Sequence, residues 1–187
     1  MDSRIKIREI KSSEIIHLDA FLYDAIFIPK GVEKPDKVII KLPELKRYIS
    51  DFGKETDLCL VAELNGKLIG AIWTRIFTEA EKGFGYVDSK TPELSMSVNV
   101  DYRQKGIGTN LLKDMLYRLT RLDYEQISLS VEKLNYAYRL YQKFGFETIK
   151  ENEKSATMIK KVRNGSAQHT VYKIPGSQKK RKRGLHI

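Results

Sequence analysis

The stretch "SMSVNVDYRQKGIGTNLL", Ser95 to Leu112, constrains this chain more than any other. Apolar residues alternate up to Val100, then fall at helical spacing after Gly108, so a strand, a tight turn and a helix follow in quick succession. The first amides of such a helix have no intrahelical partner, and the macrodipole places partial positive charge there. That arrangement holds phosphate. Gly106 and Gly108 permit close backbone approach and positive φ, while Arg103 and Lys105 add formal charge. Two familiar phosphate loops are excluded. No Gly-Lys-Ser/Thr follows, and Leu111 stands where a dinucleotide fingerprint needs its third glycine. On these residues alone, a plain turn that needs two glycines among solvated charges stays open.

The rest of the 187-residue chain supports one mixed α/β domain. "RIKIREIK" suggests a first strand, and Ser12 or Ser13 is placed to cap a helix through "EIIHLDAFLYDAIF". A second helix is expected over "LPELKRYISDF", with Pro43 in its first turn. Asn65-Gly66 between "DLCLVAEL" and "KLIGAIWTRIF" signals a hairpin. Residues 78–90 read as a loop. After the glycine turn come a helix with Leu111, Leu112, Met115, Leu116, Leu119 and Leu122 on its apolar face, and a strand, "QISLSVE". Next is a helix in "NYAYRLYQKF" that stops at Gly145, with Phe146 folding back on its last turn. Two strands, "FETIKE" and "SATMIKKV", close the domain.

The second half of the pattern is "NYAYRLYQKFGF", where Asn135 opens a helix and Tyr141 lies six residues on. Together, "SMSVNV" with "RQKGIG" and this segment resemble the GCN5-related N-acetyltransferase (GNAT) family, over roughly residues 4–162. The resemblance implies a twisted, mostly antiparallel sheet of six to seven strands with about four helices and a splayed central strand pair. It also implies acetyl-CoA as acyl donor. Val98 and Val100, flanking Asn99, would pair with the pantetheine arm. Arg103, Gln104, Lys105, Gly106, Ile107, Gly108 and Thr109 would hold the diphosphate, and Asn135 would touch the pantetheine or thioester end. A backbone amide near Val98 would face the oxyanion. Tyr141 corresponds to the family's general acid, since a phenol stays protonated at neutral pH. Glu93 sits where members often carry a carboxylate that acts as base through water. Asn135 is equally a helix N-cap, and Glu93 equally a strand-edge charge.

The implied activity is acetyl transfer to a primary amine, on a small molecule or a peptide, and homodimers are common in the family. Acceptor walls are expected from residues 25–52 and 78–93, with Trp73, Phe77, Phe84 and Tyr86 as apolar surface and Glu79, Glu81, Asp88 and Glu93 as acidic groups. The net charge of +10 is concentrated at the C-terminal end. Residues 160–187 hold nine Lys or Arg and no Asp or Glu, leaving 25 basic against 24 acidic residues before them. Residues 163–187 therefore read as a basic tail on a domain of residues 1–162, with "HTVYKI" able to add a strand. The run "KKRKR" at 179–183 offers RNA or the ribosome a phosphate-neutralising contact, although its poor aromatic interleaving counts against this. A CoA-binding module docked on nucleic acid is accordingly the alternative function. No apolar run reaches the roughly 18 residues of a membrane span, and no signal-peptide core is evident, so a cytoplasmic location is expected. Cys59 reads as a buried small hydrophobe and His17 as a surface residue; the histidines and cysteine lack metal-ligand spacing.

Overall fold

A seven-stranded sheet ordered β1-β2-β3-β4-β5-β7-β6 organises the molecule; the computed structural model describes residues 5–163. The strands are β1 (Lys6–Glu9), β2 (Leu58–Leu64), β3 (Lys67–Arg75), β4 (Glu93–Val98), β5 (Gln126–Glu132), β6 (Glu147–Glu151) and β7 (Ser155–Lys161). The helices are α1 (Leu18–Ala25), α2 (Pro43–Lys46), α3 (Ile107–Arg121) and α4 (Tyr136–Lys143). Every neighbouring pair is antiparallel except β4 and β5, which run parallel. This is the mostly antiparallel sheet that the family resemblance implied, in the mixed α/β domain read from the residues. The expected basic tail, with "HTVYKI" and 179–183, lies outside the described residues.

The hairpin forms at Asn65 and Gly66, whose φ values of 51° and 79° give the doubly left-handed turn that matches strand twist. One face of the sheet carries Ile72, Leu94, Ile127 and Leu129 under Leu111, Leu112, Met115 and Leu119 of α3 and Tyr141 of α4. The other carries Cys59, Val61, Ala71 and Trp73 under Leu18, Phe21 and Leu22 of α1 together with Tyr48 and Phe77. Cys59 is buried, which pushes its thiol up to about 12 and leaves it a packing residue.

Three local expectations need correction. The first helix begins as a 3-10 turn, Ser12–His17, and neither serine caps it. Glu14 accepts the Lys11 N–H at 2.9 Å while the Arg8 guanidinium grips both its oxygens at 2.7 Å, so a β1 ion pair anchors the turn. The Arg8 hydrogen bonds, then that N–H, pull the Glu14 carboxyl down to about 2. The second helix is only Pro43–Lys46. Its continuation is captured by Arg75, which donates to the carbonyls of Arg47, Ser50 and Asp51 at 2.8, 2.5 and 3.1 Å. Arg75 also forks onto Asp57 at 3.1 and 3.0 Å in a buried pair, so residues 47–51 are stapled to the end of β3. Finally, Leu122 follows the end of α3 and is exposed, because the helix stops one residue before it.

Candidate active site

The parallel junction between β4 and β5 is registered at one pair, Glu93 with Ser128, and the strands then part. Asn99 N–H still donates to the Ile69 carbonyl on β3 at 2.9 Å. By strand alternation the backbone groups of Met96 and Val98 therefore face the widening gap. The Val98 carbonyl takes Arg103 Nε at 2.8 Å, leaving the Val98 N–H toward the gap. Val100 departs from expectation. It opens a 3-10 turn, Val100–Tyr102, past the strand end and is exposed, so the strand edge left without a partner on the β5 side ends at Val98, while its other side stays paired with β3. Asn99 caps that turn by accepting the Asp101 N–H at 3.2 Å.

The glycine turn is left-handed at Gly106 as expected, whereas Gly108 lies inside α3 without a positive φ and Gln104 takes the second left-handed position. Gln104 and Gly106 both take left-handed backbone angles, φ 60° and 78°, and α3 starts directly after. Among the described residues, none of the N–H groups of Gln104, Lys105, Gly106, Ile107, Gly108 and Thr109 has an acceptor; the first helical bond is Asn110 N–H to the Gly106 carbonyl. Alternating helical hands with successive free N–H groups form a concave anion cradle. Lys105 Nζ is parked on the Asp101 carbonyl at 3.0 Å beside it. A side chain at Gly106 meets no atom within 4 Å, so the glycine there answers to φ and not to space. At Gly108 a Cβ makes only ordinary contact with Met96 and Val98, which leaves that flank of the cradle open.

At the wide end of the gap lies a cavity of about 460 Å³ that draws on both faces of the sheet. Leu22, Ala25, Ile26, Phe27, Leu45 and Phe84 make one apolar side, and Glu93, Glu132, Asn135 and Tyr141 supply polar groups. Of the four aromatics expected as acceptor walls, Phe84 does line the cavity. Trp73 and Phe77 are buried in the core, and Tyr86 packs against it. The acidic loop divides likewise. Glu79 pairs with Lys82 and accepts from Tyr86, and Asp88 caps the Lys90 and Thr91 amides, so of these acids Glu93 reaches the cavity.

Glu93 is 3% exposed although it opens its strand. Its Oε1 accepts the Tyr48 hydroxyl at 2.6 Å and the Gly85 N–H at 2.8 Å, while Oε2 is buried without a partner. Burial pushes its carboxyl up to about 7, against the opposing pull of those two donors. Tyr141 is buried against Phe146, ring centres 5.4 Å apart, and burial raises its phenol above the ordinary value. Its position is set by the end of α4. Gly145, φ 76°, donates to the Gln142 carbonyl and Phe146 N–H to the Tyr141 carbonyl, a Schellman motif. Asn135 caps α4 by accepting the Ala137 N–H at 2.9 Å and also lines the cavity.

Sequence reasoning missed Tyr48 and the pair Gly83 and Gly85. A Cβ on Gly85 would lie 2.5 Å from the Leu129 carbonyl carbon and 2.7 Å from Ser130 N, and one on Gly83 would collide with Glu93 and Phe77. The two glycines in "KGFGY" were the available signal for such a tight approach.

A profile of the acetyltransferase (GNAT) family matches residues 22–146. N-alpha-acetyltransferase 30 of Xenopus laevis is 33% identical over 92 residues, covering 48% of this chain and 31% of the relative. The chain thus spans about a third of that protein's length. Among solved structures, the ribosomal-protein-S18-alanine N-acetyltransferase of Escherichia coli superposes with a TM-score of 0.61 at 15% identity, over 90% of this chain and 99% of that one. The PaiA N-acetyltransferase of Thermoplasma acidophilum in complex with coenzyme A gives 0.59 at 21% identity, over 84% and 99%.

Proposed function

The chain belongs to the acetyltransferase (GNAT) family, and from that premise we propose that it transfers the acetyl group of acetyl-CoA to a primary amine by direct attack on the thioester. The observation that carries this reading is the run of acceptor-free N–H groups from 104 to 109, a few residues past a strand whose Val98 N–H faces the gap left by β5. A diphosphate satisfies those N–H groups, and an extended amide-bearing arm fits the gap. Acetyl-CoA, when bound, supplies an acyl group activated for attack and a thiolate leaving group.

The protein's own residues then have separable tasks. Residues 104–109 hold the diphosphate, with Arg103 and Lys105 beside them. The Val98 N–H is available to a developing oxyanion. Tyr141 keeps a proton on its phenol throughout the working pH range and offers it to the departing sulfur. Glu93 receives the proton that the amine must lose, directly or through water. The apolar wall from Leu22 to Phe84 excludes bulk water and accepts uncharged parts of the acceptor.

The acceptor we favour is the α-amine of a peptide or protein. An α-ammonium titrates near 7.7–8.0 and a lysine ammonium near 10.4. Against a base at about 7, the uphill proton transfer costs about 1 kcal/mol for the α-amine and about 4.6 kcal/mol for lysine. The relatives' names point the same way, since one is an N-alpha-acetyltransferase and another is named for the alanine of ribosomal protein S18. Thiol release from acetyl-CoA should accordingly be faster with peptides bearing a free N-terminus than with the same peptides blocked there and carrying lysine. Equal rates at pH 7 would count against the α-amine assignment, and no thiol release with any amine would count against acetyl transfer.

Gly106→Val tests the cradle separately. A β-branched residue at φ 78° costs about 1–2 kcal/mol or forces the turn out of the left-handed region. CoA affinity should fall at least tenfold while the protein stays folded by circular dichroism. Unchanged affinity would rule out the cradle as the diphosphate site.

A further inference from the structure

Tyr48 lies two residues beyond α2, in the stretch that Arg75 staples to the end of β3. Its ring is wedged edge-on against Phe77, centres 4.9 Å apart, and stacks on Phe84 at 6.0 Å. Its hydroxyl accepts the Phe84 N–H at 2.6 Å, which leaves the hydroxyl proton to point at Glu93 Oε1, also 2.6 Å away. Donor and ring contacts thus fix both the place and the orientation of this O–H.

From this geometry we propose that Tyr48 is a positioning residue for acetyl transfer, holding Glu93 by one carboxylate oxygen so that it stays available as a proton acceptor. The inference rests on reading Glu93 as the base. The groups that surround Glu93 leave this task to few residues. Arg75 is its register partner on β3, but its guanidinium is committed to Asp57 and three carbonyls. Arg47 donates to the Lys82 carbonyl. In the adjoining loop, Lys82 pairs with Glu79, and Asp88 is occupied by backbone amides. Glu132 and Tyr141 share the cavity, and neither is hydrogen-bonded to Glu93. What opposes burial of the carboxylate is therefore the Tyr48 hydroxyl and the Gly85 N–H. A hydrogen bond to the charged form favours that form, so loss of the hydroxyl makes Glu93 harder to ionise.

The test is Tyr48→Phe, which keeps the ring and removes the hydroxyl. With ¹³C-labelled glutamate, and the Glu93 carboxyl resonance identified by its loss in Glu93→Gln, the titration midpoint should rise by about one unit over the wild type, a tenfold change in the protonation equilibrium. The acidic limb of kcat/KM should move with it, giving a roughly tenfold deficit at pH 6 that closes by pH 9. An unmoved midpoint, or a deficit equal at pH 6 and pH 9, overturns the proposal. In the wild-type protein the Phe84 amide, which contacts Tyr48 and not the carboxylate, should titrate at the Glu93 midpoint. A flat Phe84 amide overturns the proposal as well, and this arm decides alone should Tyr48→Phe not fold. The carboxyl titration needs no turnover, so an inactive wild-type enzyme would count against the acetyl-transfer reading and not against the Tyr48 contact.

Discussion

Replacing Glu93 by glutamine should slow the enzyme and stabilise the protein in the same stroke. On the rate side, removal of a positioned base costs about 10²–10⁴-fold, and the loss should shrink as pH rises through the amine's own titration and free base becomes plentiful. The stability side follows from linkage. The folded carboxyl titrates at about 7 against an ordinary value of 4.5, so the folded state binds this proton more tightly than the unfolded chain. Its contribution is fully present below about pH 4.5 and is lost as pH climbs to about 7. Above that, the buried carboxylate costs up to about 3 kcal/mol. Glutamine keeps an oxygen for Tyr48 and Gly85 and removes the charge, though it places an amide where Oε2 has no partner. A net gain of about 1–3 kcal/mol at pH 8, and none at pH 4.5, is therefore expected from denaturant melts. A variant that is no more stable at pH 8 than at pH 4.5, relative to wild type, would show that Glu93 is not strained by burial.

Tyr141→Phe should lower kcat by about 10²-fold with CoA affinity within about twofold of wild type. The Tyr141 hydroxyl has no hydrogen-bond partner among the described residues, and its ring contact with Phe146 survives the change, so the fold should be nearly indifferent. Because burial raises the phenol, no basic limb belonging to this group should appear below about pH 10 in the wild type. Turnover that is unchanged across pH would remove the general-acid role. A parallel loss of CoA binding would instead make Tyr141 a wall of the cofactor channel.

The parts of this site that were legible in the sequence are those encoded locally. The cradle needs two left-handed backbone positions and a helix start; Gly106 announces one of the positions, and the change of period announces the helix. Tyr141 and Asn135 are tied to one helix whose cap and glycine stop are both visible. Gln104 is different, since nothing in a glutamine announces φ 60°. The contacts that set the character of Glu93 are long-range. Tyr48 reaches it across 45 positions, and the staple that places Tyr48 joins Arg75 to carbonyls 24 to 28 residues away. Such a contact follows from topology, which a residue pattern does not carry. The same holds for the second helix. "LPELKRYISDF" has helical spacing throughout, but beyond Lys46 the buried guanidinium of Arg75 takes the carbonyls of Arg47, Ser50 and Asp51, a contact the spacing does not carry.

Everything proposed for the chemistry depends on the 104–109 amides gripping a diphosphate, and isothermal titration with coenzyme A measures that grip without any acceptor or turnover. Saturable one-to-one heat is expected with coenzyme A, and far weaker binding with pantetheine, which has the arm without the diphosphate. No heat from coenzyme A with demonstrably folded protein, or equal affinity for both ligands, would contradict it.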